Sequence, residues 1–309
     1  MNTLSLNSYA KLNLYLEVLK KRKDNYHNIK TVFERIDLAD QIILKSRRDK
    51  KINIICNSSQ VPRGSLNLAY RSAKILQDNF NIDKGVDIKI IKRIPVAAGL
   101  GGGSSNAAVV LLGLNKLWKL NLSKSRLIHF ARKIGCDIPF FIYDIPFAKG
   151  SSRGDKIEPL ESLKDAKLWH ILVVPKIKVS TPLIYKKWDA YSTLAPHLPA
   201  AQKQGTVEKV GLTRPKYSVK ILTLALLKKD LALLGAALFN SLERITTKLY
   251  PQISQIKRSL MRLGVKSILM SGSGPAISGI VSSGKEALSL CKQLKAESKF
   301  WQVFVTRTI

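Results

Sequence analysis

Hydrophobic and polar positions change their spacing around one glycine-rich stretch in the first third of the chain. Residues 86–94 alternate apolar and polar side chains, which predicts a half-buried strand. Pro95 ends this pattern because proline has no N–H for a strand ladder. A run of glycines follows, and apolar residues then return at helical spacing from Ala107 to Trp118. The sequence therefore predicts a strand, a glycine loop and a helix in succession.

The predicted loop is suited to phosphate binding. Glycine N–H groups can approach a phosphate closely, and the positive end of the next helix dipole stabilises its charge. We expect that helix to begin at Ser104, Ser105 and Asn106, which are frequent helix-start residues. The loop is not a Walker A loop, since no lysine follows Gly103, nor a dinucleotide-binding turn, since Ser104 replaces its third glycine. The alternative, a flexible linker, is disfavoured by the patterned flanks.

A second patterned stretch lies near the start of the chain. Residues 8–19 alternate well enough to predict a strand. Because side chains along a strand point to opposite faces in turn, one face is predicted to carry three leucines, Leu12, Leu14 and Leu16. The opposite face is then predicted to carry Lys11, Asn13 and Tyr15.

Similar patterns predict further elements. Helical spacing predicts helices over residues 67–80, 123–133 and 222–239. Apolar runs predict strands over residues 140–142 and 168–175, and two strands around a Gly-Ser-Gly loop over residues 269–280. Residues 190–216 are rich in proline and have no clear period, which predicts a surface loop. The basic cluster at residues 47–51 is interpreted as an exposed hairpin tip.

The composition limits the class of protein. With 309 residues and 45% hydrophobic content, the chain can form one large or two medium domains. No apolar run approaches the roughly 18 to 20 residues that span a membrane, and no secretory signal is visible. The 3 cysteines lack metal-ligand spacing, so no metal-binding residues are predicted. We therefore expect a protein of the reducing cytoplasm that has no membrane partner.

The net charge of +31 is the unusual feature of the composition. It arises from 52 Lys and Arg against 21 Asp and Glu, so a nucleic-acid partner has to be considered. The basic residues are spread along the whole chain, however, and no aromatic and basic recognition motif accompanies them. We therefore predict no nucleic-acid partner, and we interpret the charge as compatible with anionic small-molecule substrates.

The glycine loop resembles the central motif of the GHMP kinases, a family named for its galacto-, homoserine, mevalonate and phosphomevalonate kinases. The resemblance implies an ATP-dependent small-molecule kinase whose loop wraps the triphosphate, with Mg2+ bridging the phosphate oxygens. It also implies that Asn67 begins a helix beside the adenine. The loop residues that it assigns to ATP are Pro95, Ala98, Gly99, Leu100, Gly101, Gly102, Gly103, Ser104 and Ser105.

Two other segments resemble the branch of this family that serves the non-mevalonate isoprenoid pathway. Residues 10–14 read Ala-Lys-Leu-Asn-Leu, and residues 24–27 read Asp-Asn-Tyr-His. The resemblance implies phosphorylation of the 2-hydroxyl of 4-diphosphocytidyl-2-C-methyl-D-erythritol, with ring stacking and histidine hydrogen bonds recognising the cytosine. It assigns to this substrate Asn13, Tyr26, His27, Phe33, Thr181 and Tyr185. Without the other motifs, a buried Tyr-His pair that closes a hairpin would be the better explanation of residues 26–27.

The segment around Asp137 resembles the family motif that carries the catalytic base. The resemblance implies that Asp137 accepts the proton of the substrate hydroxyl, if that hydroxyl lies within hydrogen-bond reach. Lys11 would keep this carboxylate charged and would stabilise the attacking oxygen. The alternative is an ordinary turn aspartate that caps a helix or loop.

The chain departs from the family pattern at a few positions. Tyr9 replaces a usual proline, and Asn25 replaces a glycine in a turn that asparagine can also adopt. Val96 and Ala97 stand where methionine or a similar residue and glycine are expected. Alanine would strain the loop if its backbone needs a positive φ, which brings the catalytic rate into question.

The resemblance extends over residues 9–280 and implies an α+β, two-domain GHMP kinase fold. Residues 1–162 are expected to form an ATP-binding domain like ribosomal protein S5, with a left-handed βαβ crossover, and residues 163–309 a ferredoxin-like domain. Because the first motif begins near residue 9, we expect no transit peptide. A monomer or weak dimer is expected. The alternatives are a homoserine or mevalonate kinase, which lack the Asp-x-Tyr-His segment, and a basic nucleic-acid-binding protein without kinase activity.

Overall fold

The computed structural model describes residues 3–194 and 215–309. Its strands are β1 (Thr3–Lys21), β2 (His27–Arg47), β3 (Ile52–Cys56), β4 (Gly85–Ile91), β5 (Phe147–Ser151), β6 (Lys156–Pro159), β7 (Trp169–Pro175), β8 (Phe239–Asn240), β9 (Ser267–Met270), β10 (Ile277–Val281) and β11 (Trp301–Arg307). Its helices are α1 (Leu68–Asn79), α2 (Gly102–Leu117), α3 (Lys124–Ile134), α4 (Ile138–Tyr143), α5 (Thr181–Leu194), α6 (Val219–Lys228), α7 (Leu231–Ala237), α8 (Glu243–Leu249), α9 (Pro251–Arg262) and α10 (Gly284–Glu297).

The first sheet has the strand order β3-β4-β2-β1-β8, and β5 and β6 extend it beside β2. β1 and β2 form a long antiparallel hairpin. β3 and β4 are parallel and are connected through α1, which makes them the predicted βαβ unit. The left-handed crossover of this unit stays a prediction. The prediction of a hairpin tip at residues 47–51 is wrong. β2 and β3 are not paired with each other, because β4 lies between them, and residues 47–51 cross over the end of β4.

The second sheet has the order β11-β7-β10-β9, and all neighbouring strands are antiparallel. Helices connect its first strand to its second and its third to its fourth, which is the β-α-β-β-α-β pattern of the ferredoxin-like fold. The predicted ferredoxin-like arrangement is therefore confirmed.

The two sheets are tied together at several points. β8 comes from the second half of the chain but pairs in parallel with β1 of the first sheet. Thr308 forms an isolated β-bridge with Ile36 of β2. Nε2 of buried His170, on β7, lies 2.9 Å from the Glu34 carboxylate on β2. With the exception of β8, the strands of the first sheet lie before the predicted boundary between residues 162 and 163, and those of the second sheet lie after it. The domain boundary itself stays a prediction.

Helices pack against both sheets and enclose the main cores. Packing of α1, α2, α3 and α4 against the first sheet buries residues such as Leu44, Ile88 and Leu111. The second sheet buries Ile171 and Ile277 against α5, α8, α9 and α10. No described helix has the length and apolar content needed to cross a bilayer.

Three predicted elements differ from the structure. Residues 140–142 belong to helix α4, because Pro139 occupies its first turn, where proline is tolerated. The helix predicted over residues 222–239 is two helices, since Lys229 adopts a left-handed conformation (φ 53°) and Asp230 caps the second. Of the loop predicted over residues 190–216, the part up to Leu194 continues α5, and residues 195–214 lie outside the described chain.

The predicted alternation along β1 is interrupted after Asn13. The pairing with β2 slips between Asn13 and Tyr15, as in a β-bulge. Leu14 and Tyr15 consequently enter the same buried cluster, and Leu16 lies on the side of Lys11 and Asn13. The bulge therefore sends Tyr15 into the core and adds an apolar wall to the polar face of the strand.

Candidate active site

The glycine loop lies between β4 and the first turn of α2. Gly101 is the N-cap of the helix, with φ 67°, and its carbonyl accepts the N–H of Ser105 at 2.8 Å. The helix therefore begins at Gly102, two residues before the predicted start at Ser104. The N–H groups of its first turn have no partner within the helix, so they form a ready anion-binding site.

A second loop, residues 271–276 between β9 and β10, supports the first from behind. The Ala276 N–H donates to the Ala98 carbonyl at 3.1 Å, and the Ser271 hydroxyl donates to the Gly99 carbonyl at 3.1 Å. A Cβ on Gly99 would lie only 2.3 Å from the carbonyl oxygen of Ser271. The close contact of these two loops therefore requires glycine at this position.

The backbone angles bear directly on the two glycine replacements. Ala97 has φ 55° and Asn25 has φ 63°, both in the left-handed region. Asparagine adopts this conformation readily, so the predicted turn is kept. Alanine adopts it only at a cost in free energy. Because the backbone at Ala97 does have a positive φ, Ala97 strains the loop.

Two cavities meet at the glycine loop. The larger, which we call the side-chain pocket, has a volume of about 530 Å3, and the smaller, the loop pocket, about 300 Å3. Both are lined by Gly99 and Gly101, which form the shared wall. The side-chain pocket contains both predicted catalytic residues and all the predicted substrate residues: Lys11, Asn13, Tyr26, His27, Phe33, Asp137, Thr181 and Tyr185.

The loop pocket contains the predicted nucleotide residues with one exception. Its lining includes Asn67, Pro95, Ala98, Gly99, Leu100, Gly101, Gly102, Gly103 and Ser104. Ser105 is the exception. Its side chain is buried, its hydroxyl accepts a hydrogen bond from Ser8 at 2.8 Å, and its N–H is bound to Gly101. Ser105 thus anchors the helix to β1 and does not face the pocket.

Asn67 has a structural task at the rim of the loop pocket. Its side-chain oxygen caps α1 by accepting the Ala69 N–H at 2.8 Å, and its amide nitrogen donates to the Pro62 carbonyl at 2.7 Å. Since both polar ends of the side chain are engaged, Asn67 shapes the chain around the pocket.

Buried Asp40 holds both flanks of the glycine loop, a role that sequence reasoning missed. Its carboxylate accepts from the Lys92 ammonium at 2.5 Å, from the N–H groups of Arg93 and Ile94, and from the Asn106 amide at 2.9 Å. It therefore joins the residues before the loop to the helix after it. Its partners Lys92 and Asn106 lie 52 and 66 positions further along the chain, so local spacing does not indicate this function.

Lys11 and Asp137 face each other in the side-chain pocket. Lys11 is only 4% exposed, and its ammonium donates to the Asn13 side chain at 2.5 Å and lies 3.6 Å from the Asp137 carboxylate. A Cβ on Gly101 would lie 2.9 Å from the Lys11 side chain, so Lys11 lies directly behind the glycine loop.

The Asp137 carboxylate is available for chemistry. Asp137 precedes α4, but its side chain makes no capping hydrogen bond and is 34% exposed, which removes the helix-capping alternative. Burial raises the pKa of neighbouring Cys136 to about 11, so its thiol stays protonated at neutral pH and is a poor nucleophile.

Aromatic side chains form the far end of the side-chain pocket. Tyr26 is 52% exposed, and the Arg153 guanidinium lies 5.2 Å from its ring centre. His27 is buried, and its ring centre is 5.2 Å from that of Tyr185. Burial also raises the pKa of the Tyr185 phenol, which keeps it neutral. The exposed Tyr26 ring excludes the interpretation of residues 26–27 as a jointly buried pair.

Several pocket residues were missed by sequence reasoning. Arg153 and Ser273 line the side-chain pocket, and Ser273 shares a 2.6 Å hydrogen bond with the Thr181 hydroxyl. Asp189 lies behind His27, with 2.6 Å between its carboxylate and the imidazole Nε2. The spacing of Asp189 four residues after Tyr185 on a helix was the signal that could have indicated it.

Comparison with known proteins adds the family. The model of the GHMP kinases N terminal domain matches residues 67–144, and that of the GHMP kinases C terminal matches residues 222–299. A 4-diphosphocytidyl-2-C-methyl-D-erythritol kinase of Acetivibrio thermocellus is 35% identical over 100% of both chains. One of Shouchella clausii is 40% identical over 90% of this chain and 85% of its own.

The chain belongs to the GHMP kinase family, in its 4-diphosphocytidyl-2-C-methyl-D-erythritol kinase branch.

Solved structures agree with this membership. A crystal structure of 4-(cytidine 5'-diphospho)-2C-methyl-D-erythritol kinase matches with a TM-score of 0.77 and 29% identity, over 99% of this chain and 100% of the other. A mevalonate kinase from L. major matches with a TM-score of 0.70 but 16% identity, over 99% of this chain and 96% of its own. The second likeness shows a shared fold only, and the two-domain GHMP kinase fold expected from the sequence is confirmed.

Proposed function

We propose that this GHMP kinase transfers the γ-phosphoryl group of ATP to the 2-hydroxyl of 4-diphosphocytidyl-2-C-methyl-D-erythritol. The observation that carries the proposal is the placement of Lys11 and Asp137 in the side-chain pocket, against the wall that it shares with the loop pocket. An acceptor hydroxyl beside Asp137 and a triphosphate on the loop would meet at Gly101. The names of the relatives that are 35 to 40% identical support this choice of acceptor.

The reaction assigns a distinct task to each side chain. Asp137 accepts the proton of the acceptor hydroxyl, the oxygen bonds to the γ-phosphorus, and the bond to the β-phosphate oxygen breaks to release ADP. The Lys11 ammonium lies where it can stabilise the charge on the attacking oxygen. Asn13 holds that ammonium in place through its 2.5 Å hydrogen bond.

The loop pocket fits a triphosphate in its chemistry. It offers the N–H groups at the start of α2 and glycines whose missing side chains leave room; a Cβ on Gly103 would meet nothing closer than 4.0 Å. Mg2+ would neutralise charge on the phosphate oxygens and would be held mainly by them, as is usual for this ion. Among the described residues, no group of three acidic, histidine or cysteine side chains could hold a metal alone.

The aromatic end of the side-chain pocket supports a cytosine ring. Tyr26 offers an exposed face for stacking, and His27 and Tyr185 close the far wall. The proposal also includes a cytoplasmic monomer or weak dimer that binds no nucleic acid. Light scattering tests the oligomeric state, and binding to DNA and RNA at low salt tests the last point, since nonspecific binding is strongest there.

The direct test is ADP release with ATP, Mg2+ and each of three acceptors: the diphosphocytidyl compound, mevalonate and homoserine. Mass spectrometry of the acceptor identifies the phosphorylated product. We expect turnover with the cytidylated acceptor alone. Turnover only with mevalonate or homoserine would contradict the acceptor, and ATP binding without any turnover would contradict the activity.

A further inference from the structure

We propose that Asp189 is a positioning residue that fixes the tautomer of His27, so that the imidazole offers a hydrogen-bond acceptor at Nδ1 to the amino group of a pyrimidine base. The proposal rests on the proposed function, because it explains how the side-chain pocket selects its base. It concerns a residue on α5 that lies 162 positions from His27 in the chain.

The contact between the two side chains is short, and it is buried on the His27 side while the Asp189 side chain is 26% exposed. His27 Nε2 lies 2.6 Å from Asp189 Oδ1, and the His27 side chain is 4% exposed. In a neutral imidazole one nitrogen carries the proton and the other accepts, and the partner of the first decides which tautomer forms. A carboxylate at Nε2 therefore places the proton there and leaves the Nδ1 lone pair for another partner.

The Asp189 carboxylate is held in its charged form. Lys21 donates to its other oxygen at 2.5 Å, while His27 occupies the first. Burial by itself would raise the pKa of Asp189, but the hydrogen bonds from Lys21 and His27 outweigh burial and leave this pKa lowered. A charged carboxylate can only accept hydrogen bonds, so it cannot stabilise the other tautomer.

Helix α5 presents Asp189 on the same stripe as two residues that line the pocket. Thr181, Tyr185 and Asp189 follow at intervals of four residues, and side chains at this spacing lie on the same helix face. Ile184 and Trp188, on the other face, are buried in the second core. This packing fixes the orientation of α5, and with it the position of Asp189 relative to His27.

An acceptor at Nδ1 discriminates between pyrimidines. Cytosine carries an exocyclic amino group where uracil carries a carbonyl oxygen, and only the amino group can donate to Nδ1. A uracil carbonyl would face the lone pair and leave both groups without a hydrogen bond, which is costly in a buried site. Within the described chain, His27 Nδ1 makes no hydrogen bond to another residue, while the ring itself lines the pocket.

The kinetic test compares Asp189→Asn with the wild type on the cytidylated acceptor and its uridine analogue. The asparagine amide can accept or donate, so it permits both tautomers at nearly unchanged volume. We expect the KM for the cytidylated acceptor to rise about tenfold, with kcat within about twofold, because one directed hydrogen bond is lost. The preference for cytidine over uridine should fall by a similar factor. Asp78→Asn, which removes an exposed carboxylate from α1, should change neither value.

Nitrogen-15 NMR of the histidine side chains reads the tautomer itself. His27→Gln identifies the His27 signals among the 4 histidines. We expect the Nε2–H form in the wild type and a mixture in Asp189→Asn, with Asp189→Glu restoring the wild-type form in part. An Nδ1–H form in the wild type, or an unchanged base preference in Asp189→Asn, would overturn the role of Asp189. A wild type that phosphorylates no cytidylated acceptor overturns the proposed function instead, and the tautomer measurement then decides the role of Asp189 alone.

Discussion

The two pockets that meet at Gly101 are built in opposite ways. The side-chain pocket is defined by groups at the ends of side chains, such as the Lys11 ammonium, the Asp137 carboxylate and the Tyr26 ring. The loop pocket is defined by backbone, through the glycines and the first turn of α2. A site of the first kind fails when a functional group is removed. A site of the second kind fails when a Cβ is added or a backbone angle is changed, so the two respond to different substitutions.

The largest effect is expected for Asp137→Asn. Loss of the proton acceptor should lower kcat by about 100- to 10,000-fold, as is typical for a general base, while ATP affinity stays within about twofold. Steady-state ADP release and isothermal titration with ATP measure the two quantities. Asp144→Asn, at the other end of α4 and largely exposed, is the matched control. Near-normal kcat in Asp137→Asn would remove this carboxylate from the mechanism.

Lys11→Met should lower kcat by about 100- to 1,000-fold, because one charged group that stabilises the developing negative charge is lost. Methionine keeps much of the side-chain packing against Gly101 and Phe33. Lys30→Met, an exposed lysine on β2, serves as the control. If Lys11→Met weakened ATP binding and left kcat unchanged, Lys11 would belong to the loop pocket and the division between the pockets would fail.

Gly101→Ala tests the backbone side of the comparison. The new Cβ would lie 2.9 Å from the Lys11 side chain, and the alanine backbone would have to adopt a φ of 67°. We expect the KM for ATP to rise about tenfold and the free energy of unfolding to fall by about 1–2 kcal/mol, the cost of a left-handed residue. Gly264→Ala isolates that cost, because Gly264 has φ 85° and nothing within 4 Å of its Cβ position. An equal loss of ATP affinity in Gly264→Ala would show that instability, not the loop, is responsible.

The smallest effect is expected for Ala97→Gly. Relief of the left-handed alanine should raise the free energy of unfolding by about 0.5–1 kcal/mol, the strain relieved minus the added flexibility of the unfolded chain. Urea denaturation measures it. Lys119→Gly replaces another left-handed residue, at φ 57°, and should give a similar gain away from the loop. A higher kcat in Ala97→Gly alone would show that the strain limits turnover. A lower free energy of unfolding in Ala97→Gly would contradict the claim that Ala97 is strained.

The difference between the pockets also explains what sequence reasoning could find. The backbone-built loop is contiguous, so its glycines and the strained Ala97 were visible in one stretch of sequence. The side-chain pocket collects residues from β1, β2, the turn before α4 and α5, and its parts were found only through separate motifs that resemble a known family. Asp189 matches no such motif, and its partner His27 is distant in the chain.

The wrong predictions of local structure also arise where one short stretch of sequence lacks the deciding information. The apolar run after Asp137 is too short for its periodicity to separate a strand from a helix, and Pro139 fits the first turn of a helix. The slip after Asn13 depends on how β1 pairs with β2, which alternation along one strand does not contain. The family resemblance of the whole glycine-serine loop assigned Ser105 to ATP together with Ser104, yet the helical rotation between the two residues turns Ser105 toward Ser8.

The most direct test of the two-pocket account is a crystal structure with the cytidylated acceptor and a non-hydrolysable ATP analogue bound together. The account predicts the base stacked on Tyr26 with its amino group at His27 Nδ1, the triphosphate at the N–H groups of α2, and the 2-hydroxyl within hydrogen-bond distance of Asp137. The γ-phosphate should lie beside Gly101, in line with that hydroxyl. A cytosine ring in the loop pocket, or an acceptor hydroxyl out of reach of Asp137, would contradict it.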